Sequence, residues 1–144
     1  MVTQNELDRV YLLMAKSLSQ FSTAQRLKVG CLIVKDTHII AEGVNGMPNK
    51  MSNVCEYYDC VEQIYTKKEV VHAEMNALLK LARSTQSSVG ATAYCTNSPC
   101  FECAKSIIQA GIVRFVYTTA YRKEEGITLL KDAGIEVQRY GDSA

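Results

Sequence analysis

No stretch of this sequence approaches the roughly 20 consecutive apolar residues that a membrane-spanning helix needs. The opening segment, MVTQNELDRVYLLMAKSL, is interrupted by charges, and no apolar core or small-residue cleavage site follows it. It therefore reads as part of the fold rather than as a secretion signal, and the expected location is cytoplasmic. An excess of one charge is also missing. Sixteen Lys and Arg stand against fifteen Asp and Glu, a formal net charge of +1. Long nucleic-acid tracks need a strongly basic face, so neither nucleic acid nor a membrane is an expected partner. A few basic residues aimed at one small phosphate remain compatible with this balance. The chain has no internal repeat, linker or low-complexity segment, and its 144 residues suit a single domain, 1–144.

The apolar fraction is 47% and the charged fraction 22%, ordinary for a globular chain that builds its own core. Six cysteines are present: Cys31, Cys55, Cys60, Cys95, Cys100 and Cys103. Without a secretion signal, metal ligation or core packing is a better use for them than a disulfide framework.

Thr3 and Glu6 form a capping box ahead of a helix that runs to about Phe21, with Leu7, Val10, Tyr11, Met14 and Leu18 on one face. The polar connector STAQRLK follows. Residues 29–34 are β-rich and nearly all apolar, as in a strand buried on both faces. Asp36-Thr37 marks a tight turn before a second strand, 38–44. Residues 45–49 form a loop, and 50–69, without a clean period, read as a loop or short helix. Further helices are expected at 70–83, 100–110 and 123–133, the last two stopped by Gly111 and Gly134. Further strands are expected at 91–96, 113–118 and 135–138. This order predicts an α/β fold with a mixed sheet and helices on both faces.

Cys100 and Cys103 are spaced C-x-x-C at the start of a predicted helix, where i and i+3 share a face and the helix N-terminus favours thiolates. Pro99 suits the first helical position. Alone, this spacing fits a redox pair as well as a metal. His72 and Glu74 diverge on a regular helix, so both can face one site only if His72 sits at or just before the first turn. Alone, they fit a solvated pair. Together the two halves supply one His and two Cys ligands and leave a tetrahedral position open, the pattern of a catalytic zinc. Glu74 is then a carboxylate the metal does not need, free to carry a proton from a bound water whose pKa the zinc lowers. H-x-E followed by P-C-x-x-C is the signature of zinc nucleobase deaminases.

Several segments carry a closer resemblance: VGCLIV, GVNGMPN, HAEMNAL, SPCFECAKSIIQAGI and VYTTAY. From about Ser22 to Ile135 the chain resembles the deoxycytidylate (dCMP) deaminases. Asn76, the Cys103-Ala104-Lys105 step and the Gly43 to Pro48 loop are its more specific parts. tRNA adenosine deaminases usually differ at the Asn76 and Ala104-Lys105 positions, and free cytidine deaminases usually have Cys in place of His72.

The resemblance implies a three-layer α/β/α fold with a five-stranded mixed sheet. It implies one catalytic zinc held by His72, Cys100 and Cys103, and hydrolysis of dCMP to dUMP and ammonia with Glu74 as proton carrier. It implies that backbone around Ala73 and Ser98 holds the pyrimidine edge, that Asn45 meets the sugar hydroxyl and that Tyr121 stands near the nucleotide. Arg26, matching the Arg of the family's S-T-x-x-R-x-x-V-G pattern, would anchor the phosphate, with Lys28 in reserve. Regulation by dCTP and dTTP in a homohexamer is also implied, with Gly46 and Lys50 as effector contacts and Mg2+ accompanying a triphosphate. A second, structural zinc at Cys55 and Cys60 is a further family possibility, though C-x-x-x-x-C is a weak ligand spacing. Cys31 and Cys95 read as buried core thiols. Two rival readings stand beside this one. The first is a deaminase acting on dCTP, on free cytidine or on a base within a polynucleotide. The second is an inactive zinc scaffold, against which the spare Glu74 argues.

Overall fold

In a computed structural model that describes residues 1–141, the capping box forms as the sequence requires. The Glu6 N–H donates to Thr3 Oγ1 at 3.1 Å and the Thr3 N–H donates to Glu6 Oε2 at 2.8 Å, opening α1 (Gln4–Ser19). Residues 142–144, the end of the expected domain 1–144, lie outside the described residues. β1 (Gly30–Lys35) and β2 (His38–Val44) form a hairpin across Asp36 and Thr37. Both turn residues have positive φ, the geometry that matches the twist of the flanking strands.

The expected loop or short helix at 50–69 is instead a small hairpin of β3 (Glu56–Tyr58) and β4 (Ile64–Thr66). Strands of three residues are too short to display a two-residue alternation, which is why no period is visible in the sequence. Beyond it come α2 (Ala73–Ala82), β5 (Thr92–Asn97), α3 (Phe101–Gln109), β6 (Arg114–Thr119), α4 (Glu125–Asp132) and β7 (Glu136–Arg139). Each lies within a few residues of its predicted span. Pro99 is displaced from its expected place at the first helical position: Cys100 is the N-cap of α3, so Pro99 precedes the cap.

The five long strands form one mixed sheet in the order β2-β1-β5-β6-β7. β1 is antiparallel to both neighbours, whereas β5, β6 and β7 run parallel to one another. Side-chain alternation sends Leu32, Val34, Tyr94 and Val116 to one face, where they meet Leu12 and Ala15 of α1. Cys31, Ile33, Ala93, Cys95, Phe115 and Tyr117 point to the other face, against α2, α3 and α4. The result is the three-layer α/β/α arrangement, with Cys31 and Cys95 buried in it as free thiols.

The buried face of α1 differs from the expected one. Asp8, Leu12, Ala15 and Ser19 are buried, Leu7, Tyr11 and Leu18 flank them, and Val10 and Met14 are exposed. Small residues win this face because the helix backbone lies directly on β1. A Cβ on Gly30 would fall 2.1 Å from the Ala15 carbonyl oxygen, so the approach depends on glycine. Asp8 is tolerated because Arg114 of β6 grips its carboxylate with two hydrogen bonds of 2.7 Å. Among the described residues no helix is long and apolar enough to cross a membrane.

Candidate active site

Two helix N-termini meet at the carboxyl end of β5. His72 is the N-cap of α2, with φ −69° and ψ 156°, the extended geometry needed for its ring and Glu74 to face one site. An isolated bridge fixes this boundary: Gly46 and Val71 exchange backbone hydrogen bonds of 3.0 and 2.8 Å immediately before His72. Asn76, one turn along, donates its amide N–H to the Val44 carbonyl at 2.7 Å and locks α2 to the end of β2. Cys100 caps α3, and its sulfur accepts from the Cys103 N–H at 3.4 Å.

His72 Nδ1 lies 3.4 Å from both the Cys100 and the Cys103 sulfur. Zinc bonds of about 2.0–2.1 Å to nitrogen and 2.3 Å to sulfur in a tetrahedron place those atoms about 3.5 Å apart, so the donor set fits that ion. All three donor atoms lie within 4.8 Å of one another. The ring nitrogen turned to the sulfurs is Nδ1, a detail the sequence does not encode. The Cys100 thiol lies well below its ordinary value, chiefly because Cys103 donates to it and also because His72 stands beside it. Cys103 is pushed up correspondingly. His72 is raised, first by its hydrogen bond to Cys100 and despite partial burial.

Glu74 is 5% exposed, and burial lifts its carboxyl to about 7. It stands beside the ligand set without belonging to it, since the metal-compatible group consists of His72, Cys100 and Cys103. A carboxyl poised near neutrality next to an ion site is suited to exchanging protons.

A cavity of about 520 Å³, large enough for a mononucleotide, opens over these groups. Arg26, Asn45, His72, Ala73, Glu74, Ser98, Cys100 and Tyr121 all line it, so most of the residues expected from sequence converge there. Lys28, Gly46 and Lys50 do not line it. Arg122, Thr66 and Val70 do, and sequence reasoning passed over them. Arg122 adjoins Tyr121 and was visible as a second cation beside an expected contact. Thr66 has no local signal, because the hairpin that delivers it shows no period, and Val70, expected to open the helix at 70–83, lies just ahead of α2.

Asn45 lines the cavity with its amide held from both sides. Its Oδ1 accepts from the Val29 N–H at 2.9 Å, and its Nδ2 donates to the Leu27 carbonyl at 2.7 Å. An amide retains one further hydrogen and one further lone pair beyond these bonds. Ser98 Oγ accepts from the Tyr121 N–H at 2.6 Å, which holds the Tyr121-Arg122 segment over the metal-ligand loop. Cys55 is buried, contacting Thr23 Oγ1 at 3.5 Å, whereas Cys60 is exposed. Among the described residues, neither belongs to a set of three or more metal-compatible side chains.

The family model of the cytidine and deoxycytidylate deaminase zinc-binding region matches residues 5–119. A deoxycytidylate deaminase of Saccharomyces cerevisiae is 35% identical over 141 residues, covering 92% of this chain and 44% of the relative. The chain thus spans less than half of that yeast protein. The deoxycytidylate deaminase of Enterobacteria phage T4 is 34% identical, over 83% of this chain and 82% of its own length. Among solved structures, a dCMP deaminase from the cyanophage S-TIM5, crystallised with dCMP and dUMP, superimposes with a TM-score of 0.89. It is 38% identical and matches over 96% of this chain and 100% of that one. With its His-Cys-Cys cluster and neighbouring carboxyl at the mouth of a five-stranded α/β/α fold, this chain belongs to the cytidine and deoxycytidylate deaminase zinc-binding family.

Proposed function

We propose that this protein hydrolyses dCMP to dUMP and ammonia, with residues 1–144 acting as one catalytic domain. One observation carries the reading: a single mononucleotide-sized cavity joins the His72, Cys100, Cys103 and Glu74 cluster to two arginines, Arg26 and Arg122. The first end suits chemistry at an amine-bearing carbon, and the second suits a terminal phosphate. Similarity to the cyanophage enzyme crystallised with dCMP and dUMP supports the same substrate.

Zinc bound by His72, Cys100 and Cys103 supplies Lewis acidity that makes a water nucleophilic near neutral pH. Glu74 takes a proton from the attacking water and delivers it to N3 of the pyrimidine as the C4–O bond forms. It then carries the second proton to the exocyclic nitrogen as the C4–N bond breaks and ammonia leaves. Burial raises the carboxyl, which suits Glu74 to hold and release a proton beside the cluster. The backbone at Ala73 and Ser98 holds the pyrimidine edge. The spare capacity of the Asn45 amide meets a sugar hydroxyl, and Tyr121 covers the nucleoside. Arg26 holds the phosphate, with Arg122 as a second cation lining the same cavity.

A homohexameric assembly and regulation by dCTP and dTTP complete the reading by family resemblance, and the charge-interrupted opening segment supports a cytoplasmic location. Gly46, an effector contact by the same resemblance, bridges Val71 one residue from His72. Lys50 lies farther along the same loop as an exposed cation. The deciding experiment measures ammonia release from dCMP, dCTP, deoxycytidine and single-stranded DNA side by side, with zinc content determined on the same sample. Fastest turnover of dCMP is expected. Activity on DNA without activity on nucleotides overturns the reading, as does folded protein that takes up no zinc.

A further inference from the structure

The connector between α1 and β1 contributes Arg26 to the cavity but has no helix or strand of its own. Its backbone N–H groups therefore need partners from elsewhere. The β3–β4 hairpin provides them. Glu56, 5% exposed, turns one carboxylate oxygen to two consecutive donors: Oε2 accepts from the Gln25 N–H at 2.8 Å and from the Arg26 N–H at 3.0 Å. From the other strand, Thr66 Oγ1 accepts from the Arg26 guanidinium at 3.3 Å. The segment just before the hairpin also anchors the connector, since the Thr23 hydroxyl donates to the Asn53 carbonyl at 2.7 Å.

Placing a carboxylate so close to a phosphate anchor looks counterproductive. Glu56 avoids the conflict because it is buried, does not line the cavity, and directs its oxygen at backbone amides. We infer that Glu56 is a positioning residue that sets the place of Arg26, so that the hairpin determines how strongly a nucleoside monophosphate is preferred over the free nucleoside. This rests on the reading of Arg26 as phosphate anchor. Its physical basis is preorganisation: a long, rotamer-rich arginine binds an anion better when its backbone and guanidinium are already held.

The test compares Glu56→Ala, Glu56→Gln, Arg26→Ala, the double variant Arg26→Ala/Glu56→Ala and Thr66→Val, each assayed on dCMP and deoxycytidine and checked by thermal unfolding. Losing hydrogen bonds from a charged acceptor is expected to raise KM for dCMP about tenfold in Glu56→Ala. kcat/KM for deoxycytidine, which has no phosphate to anchor, should change less than about twofold. Glu56→Gln keeps an acceptor oxygen at the same place and should restore most of the loss. The double variant should be no worse than Arg26→Ala alone, because Glu56 acts through that residue. An unchanged KM for dCMP in Arg26→Ala overturns the anchor reading itself. A raised KM in Arg26→Ala with an unchanged one in Glu56→Ala, or equal losses on both substrates in Glu56→Ala, overturns the positioning role alone. If Glu56→Ala does not fold, Thr66→Val decides, since it loosens the same arginine from an exposed site. A KM increase for dCMP of about two- to threefold upholds the role, and no change overturns it.

Discussion

Glu74 and Asp8 are both buried acids, and their surroundings drive them in opposite directions. Around Glu74 burial dominates and lifts the carboxyl to about 7, whereas around Asp8 the hydrogen bonds from Arg114, Tyr94 and Gln4 overcome burial and lower it to about 2. The first is raised towards neutrality by its burial; the second stays ionised and structural. Glu74→Gln is nearly isosteric and leaves all three ligands in place. It should retain about one zinc per chain by elemental analysis and melt close to the parent, while kcat for dCMP falls by about 10²-fold or more. Normal turnover in that variant would exclude Glu74 as the proton carrier. At this scale the sequence was highly legible, because H-x-E and P-C-x-x-C encode chemistry through spacing alone. Arg122 and Thr66 were not, since nothing local distinguishes a surface arginine or threonine from one that a remote strand brings to a cavity.

The position of Cys100 depends on how α4 packs against the loop that precedes α3. Gly126 of α4 is buried there, and a Cβ at that position would lie 2.2 Å from the Pro99 carbonyl oxygen and 2.9 Å from that of Cys100. Both obstacles are backbone atoms, so the clash cannot be relieved by a side-chain rotation. Gly126→Ala is expected to cost about 1–3 kcal/mol of stability by overpacking, measured by urea unfolding, and to weaken zinc retention against a chelator by shifting Cys100. Unaltered zinc retention would show that the ligand loop is held independently of α4. The elements themselves were mostly readable from apolar periodicity and the stops at Gly111 and Gly134. The face of α1 was misjudged because hydrophobicity pointed to Val10 and Met14, whereas close backbone approach at Gly30 selected Ala15 and Ser19.

Asp8 joins parts of the molecule that are far apart in the chain. Its carboxylate accepts from Arg114 of β6, from the Tyr94 hydroxyl of β5 at 2.6 Å, and from the Tyr140 hydroxyl beyond β7 at 3.0 Å. Arg114 also pairs with Glu136 of β7. The folded carboxyl titrates below its unfolded value, so the unfolded chain binds more protons between about pH 4 and 2. The stability this supplies is fully present above about pH 4 and is lost as pH falls through about 2. Asp8→Asn is expected to cost about 3 kcal/mol at pH 6 by urea unfolding, because it removes the buried partner of a half-buried guanidinium, which then keeps only the exposed Glu136. The difference between parent and variant should narrow as pH is lowered from about 4 towards 2. A gap that does not change over that range would mean that Asp8 acts through packing alone.

The sequence by itself pointed to the metal-compatible set and to Glu74 as its carboxyl neighbour, and determined the alternation of strands and helices and the layered fold. Each of these is written in short-range spacing: two residues between the thiols, one between His72 and Glu74, two per strand repeat and about four per helical repeat. Tertiary structure alone decided that Nδ1 of His72 faces the sulfurs and that Arg122 and Thr66 join Arg26 around one cavity. It also decided that Glu56 holds the connector and that Asp8 can be buried at all. The physical reason is common to all four. A side chain's environment is set by partners tens of residues away, and no local pattern records which of them the folded sheet will bring within hydrogen-bonding distance.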